Sequence, residues 1–114
     1  MADTNRFIDE LRRAWRDEKS AALTYAAAAE RETDTRRRDI FLRMATEEQK
    51  HAERWEKRLS EMGADPGAYV ETAVEVQRRR DLVGRDPEII VATMAAAEGN
   101  ADGAYDLQIG RAHV

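Results

Sequence analysis

The stretch Phe41-Leu-Arg-Met44-Ala-Thr-Glu-Glu48-Gln-Lys-His51-Ala-Glu-Arg-Trp55 contains a contradiction that decides how the chain folds. Phe41, Met44, Glu48, His51 and Trp55 are spaced 3, 4, 3 and 4 residues apart. That spacing is the buried stripe of a helix packed against other helices. Two of its central places nevertheless hold a carboxylate and an imidazole. Burying such groups without partners costs several kcal/mol, so something must compensate. A cation does so well, because neighbouring carboxylates stop repelling one another once it sits between them.

The same anomaly recurs on both sides. An earlier segment reads Leu11, Trp15, Glu18, Ala22, Tyr25, Ala29, with gaps of 4, 3, 4, 3 and 4, and a glutamate again interrupts the apolar stripe. A later one reads Val91, Met94, Glu98, Ala101, Tyr105, with gaps of 3, 4, 3 and 4. In both, a tyrosine follows the glutamate by seven residues: Glu18 to Tyr25 and Glu98 to Tyr105. Seven residues make nearly two helical turns, which puts each tyrosine on its glutamate's face about 10 Å along the axis. Three helices are therefore expected to aim carboxylates inward, and two of them share a pseudo-repeated pattern.

At 114 residues the chain is long enough for one domain. With 37% charged and 42% hydrophobic residues and only two prolines, it suits a helical bundle with a solvated outside. The net charge is -4 and no basic stretch is interleaved with aromatics, which argues against a nucleic-acid partner. Arg36-Arg37-Arg38 and Arg78-Arg79-Arg80 read first as solvated helix faces and second as contacts for anions or a lipid surface. The absence of cysteine excludes disulfides, cysteine-ligated zinc and iron–sulfur clusters. Met1 to Arg6 has no apolar run of the secretory kind, and nothing approaches the ~20 apolar residues of a membrane span. A soluble, cytoplasmic protein is the expectation.

Along the chain, a first helix is predicted from about Asn5 to Glu32, broken by Thr33-Asp34-Thr35, and a second from about Arg36 to Met62, ended by Gly63. So short a link forces an antiparallel hairpin. Asp65-Pro66 looks like a cap followed by a first-turn proline, opening a shorter amphipathic segment through Tyr69, Val70, Ala73, Val74 and Leu82 to Gly84. Asp86-Pro87 repeats the device and opens a last helix, carried to about Gln108. Gly99 and Gly103 would give that helix either close approach to a neighbour or local flexibility. Ile109-Gly-Arg-Ala-His-Val114 does not continue the stripe. The codons ATC GGA AGA GCA CAC GTC encode it and match a widely used sequencing adapter, so residues 109–114 are read as a non-native tail on a truncated chain and His113 is not recruited as a ligand. The alternative is an ordinary frayed terminus.

Asp17-Glu18 through Tyr25, followed by Met44-Ala-Thr-Glu-Glu48-Gln-Lys-His51-Ala-Glu-Arg-Trp55, resembles the first half of a rubrerythrin or ferritin-like di-iron bundle. Asp86-Pro-Glu-Ile-Ile-Val-Ala-Thr-Met-Ala-Ala-Ala-Glu98, with Tyr105 beyond, is similar to the third helix of one subgroup, the ferritin-like domain fused to vacuolar-iron-transporter-type membrane proteins. The resemblance implies an all-α, antiparallel ferritin-like bundle over residues 1–108, incomplete at its carboxy-terminal end because the fourth helix is missing. It also implies a two-metal site of iron, or alternatively manganese, with one glutamate from each of two helices and Glu-x-x-His from each of the others. Residue by residue, Glu18 and Glu98 would be the single carboxylates, Glu48 and His51 the first Glu-x-x-His, and Tyr25 and Tyr105 hydrogen-bonding supports of the ligands. Neither a second Glu-x-x-His nor a Cys-x-x-Cys module is present.

Plainer readings stand beside these. Glu48 and His51 could form a surface pair, Glu18 and Glu98 could bind arginines across the bundle, and the tyrosines could simply fill the core. Glu47 lies off the stripe, without a histidine three residues on. The functional expectation is a di-iron protein that oxidises Fe(II) with dioxygen or peroxide, a ferroxidase or peroxide-reducing oxidoreductase once the bundle is complete. The alternatives are an iron-binding module serving a transporter-type membrane domain, in iron homeostasis, and a structural helical interaction module. Without a fourth helix, an apolar groove lined by Leu11, Trp15, Ala22, Met44, Trp55, Val91 and Met94 is expected to drive homodimerisation.

Overall fold

The computed structural model describes residues 2–101, and the side chains of residues 3–98. Four helices follow one another: α1 (Ala2–Arg31), α2 (Thr35–Glu61), α3 (Ala73–Val83) and α4 (Pro87–Ala101), and the described residues contain no strand. This is the expected all-α, ferritin-like bundle. Tyr105, the predicted helical continuation to Gln108 and the 109–114 tail lie outside the described residues.

The α1–α2 hairpin is the frame. Its link is held locally: the Asp34 carboxylate accepts the Arg37 amide at 2.9 Å and caps α2. Glu32 accepts the Asp34 amide at 3.1 Å and pairs with Arg37 at 3.2 Å. Antiparallel pairing follows along the seam. Leu11 clusters with Leu59, Trp15 Nε1 donates to Glu56 at 2.9 Å, Glu18 meets His51, and Tyr25 stacks on Phe41 with ring centroids 6.3 Å apart. Rising numbers on α1 meet falling numbers on α2. Ala52 and Leu59 are fully buried, so the α2 stripe is broader than the expected one.

α2 ends at a glycine-closed cap. The Ala64 amide donates to the Leu59 carbonyl at 2.9 Å and Gly63 to Ser60 at 3.0 Å, with Gly63 at φ +74. That is the Schellman arrangement, and it uses a backbone conformation that favours glycine.

The helix expected from Pro66 does not form there. The Asp65 carboxylate turns back to accept the Gly67 amide at 2.9 Å, and Gly67 takes φ +77, which is incompatible with a helical start. Residues 64–72 run as a strap along α1. Arg12 donates to the Asp65 carbonyl and Arg16 to the Val70 carbonyl, while the Tyr69 ring packs edge-on against Trp15 at 5.8 Å. Helix α3 begins only at the Thr72–Glu75 capping box, a Thr-x-x-Glu signal that the proline reading overshadowed.

The strap overturns part of the expected groove. Leu11 is 5% and Trp15 3% exposed. Met94 is buried as well. α4 is also rolled relative to expectation: Ile90, not Val91, enters the core with Met94, Tyr25, Phe41 and Ala29. Val91 is left 39% exposed on the outer face.

Candidate metal centre

Glu18 projects from the middle of α1 and Glu48 and His51 from the middle of α2, one helical turn apart on α2. The antiparallel hairpin brings all three together. One ligand atom from each lies within 4.8 Å of the others. His51 Nδ1 stands 3.5 Å from Glu18 Oε2 and 3.7 Å from Glu48 Oε2. Both carboxylates are buried, while a third of the imidazole remains open to solvent.

Glu98 closes the cluster from α4 without joining that compact trio. Its carboxyl lies close enough to Glu48 and to the Tyr25 hydroxyl to raise both of their titrations, and Tyr25 is itself buried in the core. Glu48 Oε2 and Glu98 Oε1 are buried with no hydrogen-bond partner among the described residues. Each such orphan normally costs about 1–3 kcal/mol, so the cluster is crowded with acceptors that the described residues do not satisfy.

The electrostatics carry the same message. Burial first, then proton sharing with Glu18 and Glu98, then their charges, push the Glu48 carboxyl far above the ordinary carboxylate range. Burial and the nearby Glu98 and Glu48 carboxylates raise the Tyr25 hydroxyl. Among the described residues no lysine or arginine pairs with Glu18, Glu48 or Glu98; Lys19 reaches Glu56 instead, at 3.6 Å. The interhelical salt bridge considered for Glu18 and Glu98 is therefore absent from this part of the chain. Glu47 is exposed and pairs with Lys50, as its off-stripe position implied.

Hard oxygen donors with an imidazole, converging in a buried space without an offsetting cation, are the donor set of a divalent first-row metal such as iron or manganese. The orphaned oxygens fit such an ion. A family model for rubrerythrin matches residues 9–104. The chain belongs to the rubrerythrin family. Membership implies a carboxylate-bound metal, usually iron, and the Glu18–Glu48–His51 group is where this rubrerythrin-type chain can hold one. Comparison with curated proteins and with solved structures gave no match.

A cavity of about 590 Å3 opens from solvent between α1, α3 and α4 onto Glu18, Glu48 and Glu98. Asp17 forms part of its wall, and burial together with the adjacent Glu18 charge raises its carboxyl. Sequence reading passed over Asp17 because it lies off the apolar stripe. Its only local signal was adjacency to Glu18. Of the expected site residues, Glu18, Glu48, His51, Glu98 and Tyr25 converge, whereas Tyr105 falls outside the described residues. No described helix is long and apolar enough to cross a membrane.

Proposed function

We propose that this chain is a di-iron (or dimanganese) carboxylate protein of rubrerythrin type that couples Fe(II) oxidation to reduction of dioxygen or peroxide. One observation carries the reading: Glu18, Glu48 and His51 meet in a compact group beside Glu98, and two of these carboxylate oxygens are buried without a partner among the described residues. Glu18, Glu48, His51 and Glu98 would hold the metal. When bound, iron supplies the electrons that reduce the oxidant.

The side chains do the rest. Glu48 carries a proton in the metal-free protein and surrenders it on loading, so binding releases acid. Tyr25 donates to Glu98 and fixes the orientation of that carboxylate. The cavity between α1, α3 and α4 gives a small oxidant a path to the carboxylates, and Leu82, Ile89 and Met94 make its walls largely apolar.

Anaerobic Fe(II) titration followed by admission of air tests the proposal. Saturable uptake is expected, with oxidation faster than that of Fe(II) in buffer, and both are lost in Glu48→Gln and His51→Ala. A chain that takes up no metal while remaining folded would instead be a structural helical module.

A further inference from the structure

Trp15 is 3% exposed and precedes Glu18 by one turn on the same stripe of α1. Side chains three residues apart on a helix are neighbours, about 5–6 Å between Cβ atoms. The indole is packed with Leu11, Ala52 and Leu59, and its one polar atom has an acceptor: Nε1 donates to Glu56 Oε1 at 2.9 Å. The Glu56 side chain is 35% exposed and meets Lys19 at 3.6 Å. That carboxylate therefore touches the buried ring on one side and water on the other. An oxidisable ring beside the metal group has a proton acceptor with a way out.

Removing an electron from indole makes its N–H strongly acidic, so a ring that can hand the proton on is the one that gives up the electron. The neighbouring rings are placed less well. Tyr25 is 1% exposed and its hydroxyl faces Glu98 and Glu48, carboxylates that a bound metal would occupy. Tyr69 meets Trp15 edge-on at 5.8 Å, but the Arg16 guanidinium stands 5.1 Å over its ring, and a cation there opposes oxidation. Trp55, four residues beyond His51, has a buried Nε1 with no partner among the described residues.

Breaking the O–O bond of hydrogen peroxide into two hydroxides takes two electrons, and only one comes from a single ferrous ion. Left there, the second oxygen departs as a hydroxyl radical. We propose that Trp15 delivers the second electron when peroxide meets a site holding one Fe(II), with Glu56 taking the indole proton and passing it to solvent. The two hydroxides take up two protons and leave as water, and the neutral tryptophyl radical is reduced afterwards by a second Fe(II), regaining its proton. Over the cycle one peroxide and two protons become two waters while two ferrous ions become ferric.

The relay rests on the metal-binding reading, and two measurements separate them. In the first, the protein is loaded anaerobically with one Fe(II) per chain, mixed with hydrogen peroxide and freeze-quenched for electron paramagnetic resonance. A tryptophyl radical is expected in wild type and in Trp55→Phe and is lost in Trp15→Phe, where a spin trap collects hydroxyl radical instead. In the second, iron-free Trp55→Phe, which keeps Trp15 as its only tryptophan, is photoionised by a laser flash and followed by transient absorption. Conversion of the radical cation to the neutral radical should slow by about 100-fold when Glu56→Gln is added. Glu56→Gln, at a part-exposed position, also serves in the first measurement if Trp15→Phe does not fold, with a lower radical yield expected. Fe(II) uptake with the same radical in Trp15→Phe, or with no tryptophyl radical at all, would overturn the relay and leave the metal reading intact. Equal deprotonation rates with and without Glu56 would overturn the assigned acceptor. A folded chain that takes up no Fe(II) would overturn both readings.

Discussion

Replacing Glu48 with glutamine is expected to stabilise the metal-free protein while abolishing its response to metal. Glu48 is 6% exposed, its Oε2 has no hydrogen-bond partner among the described residues, and its carboxyl is crowded by Glu18 and Glu98. A buried unsatisfied polar group costs about 1–3 kcal/mol. Glutamine keeps the shape, removes the titration, and offers an amide N–H pair that can donate to the two flanking carboxylates. Recovering ~2 kcal/mol should raise Tm by roughly 8–16 °C, at about 4–8 °C per kcal/mol for a domain near this size. The sign with pH follows from the raised Glu48 carboxyl. Folding keeps its proton, so stability from the neutral form is fully present below the ordinary value of 4.5 and is lost as pH rises toward the folded-state value. The advantage of Glu48→Gln should thus be smallest near pH 4 and grow toward pH 8. Thermal melts of metal-free protein across that range, repeated with Mn(II), are the assay. Wild type with metal at a hundred times its Kd should gain about 2.7 kcal/mol, and Glu48→Gln nothing. If the metal-free variant melts below wild type at pH 8, the account of Glu48 as a destabilised ligand is wrong.

Tyr25→Phe keeps the stacking on Phe41 and removes only the hydroxyl that holds Glu98, so metal affinity should fall by about 10–100-fold. Isothermal titration with Mn(II) showing unchanged affinity would contradict that role. Gly63→Ala places a side chain at φ +74 and should destabilise by about 1–2 kcal/mol in urea melts, although no neighbour stands within 4 Å of the new methyl group. Thr72→Ala removes the α3 capping box and should cost about 1 kcal/mol near neutral pH. Bonding to the Thr72 backbone and side chain helps hold the Glu75 carboxyl below its ordinary 4.5, so the stability it contributes is present above 4.5 and lost as pH falls through the folded-state value. Urea melts from pH 3 to 7 should therefore show a shallower acid limb in Thr72→Ala than in wild type.

Periodicity alone determined the α1–α2 hairpin and the meeting of Glu18, Glu48 and His51. The 3.6-residue repeat is a local property, and a link as short as Glu32–Asp34 leaves two long helices only one way to pair. Caps written in neighbouring residues, such as Asp34 and Gly63, were legible for the same reason. The roll of α4 was not. Val91 and Ile90 are adjacent apolar residues, and which one enters the core depends on the surface that Tyr25, Ala29 and Phe41 present from elsewhere in the chain. Nor could the stripe reveal that residues 64–72 lie as a strap over Trp15. An Asp-Pro start competes with an Asp-to-Gly67 turn, and the outcome is decided by Arg12, Arg16 and the Tyr69–Trp15 contact, all of them across the fold. The same distinction runs through the site. Which carboxylates face inward is encoded by spacing along one helix, but the position of Glu98 beside the compact trio, and the open cavity at its back, depend on how far α4 sits from α1 and how α3 leans between them. Those distances are set by side chains remote in sequence packing against one another, and helical periodicity carries no information about them.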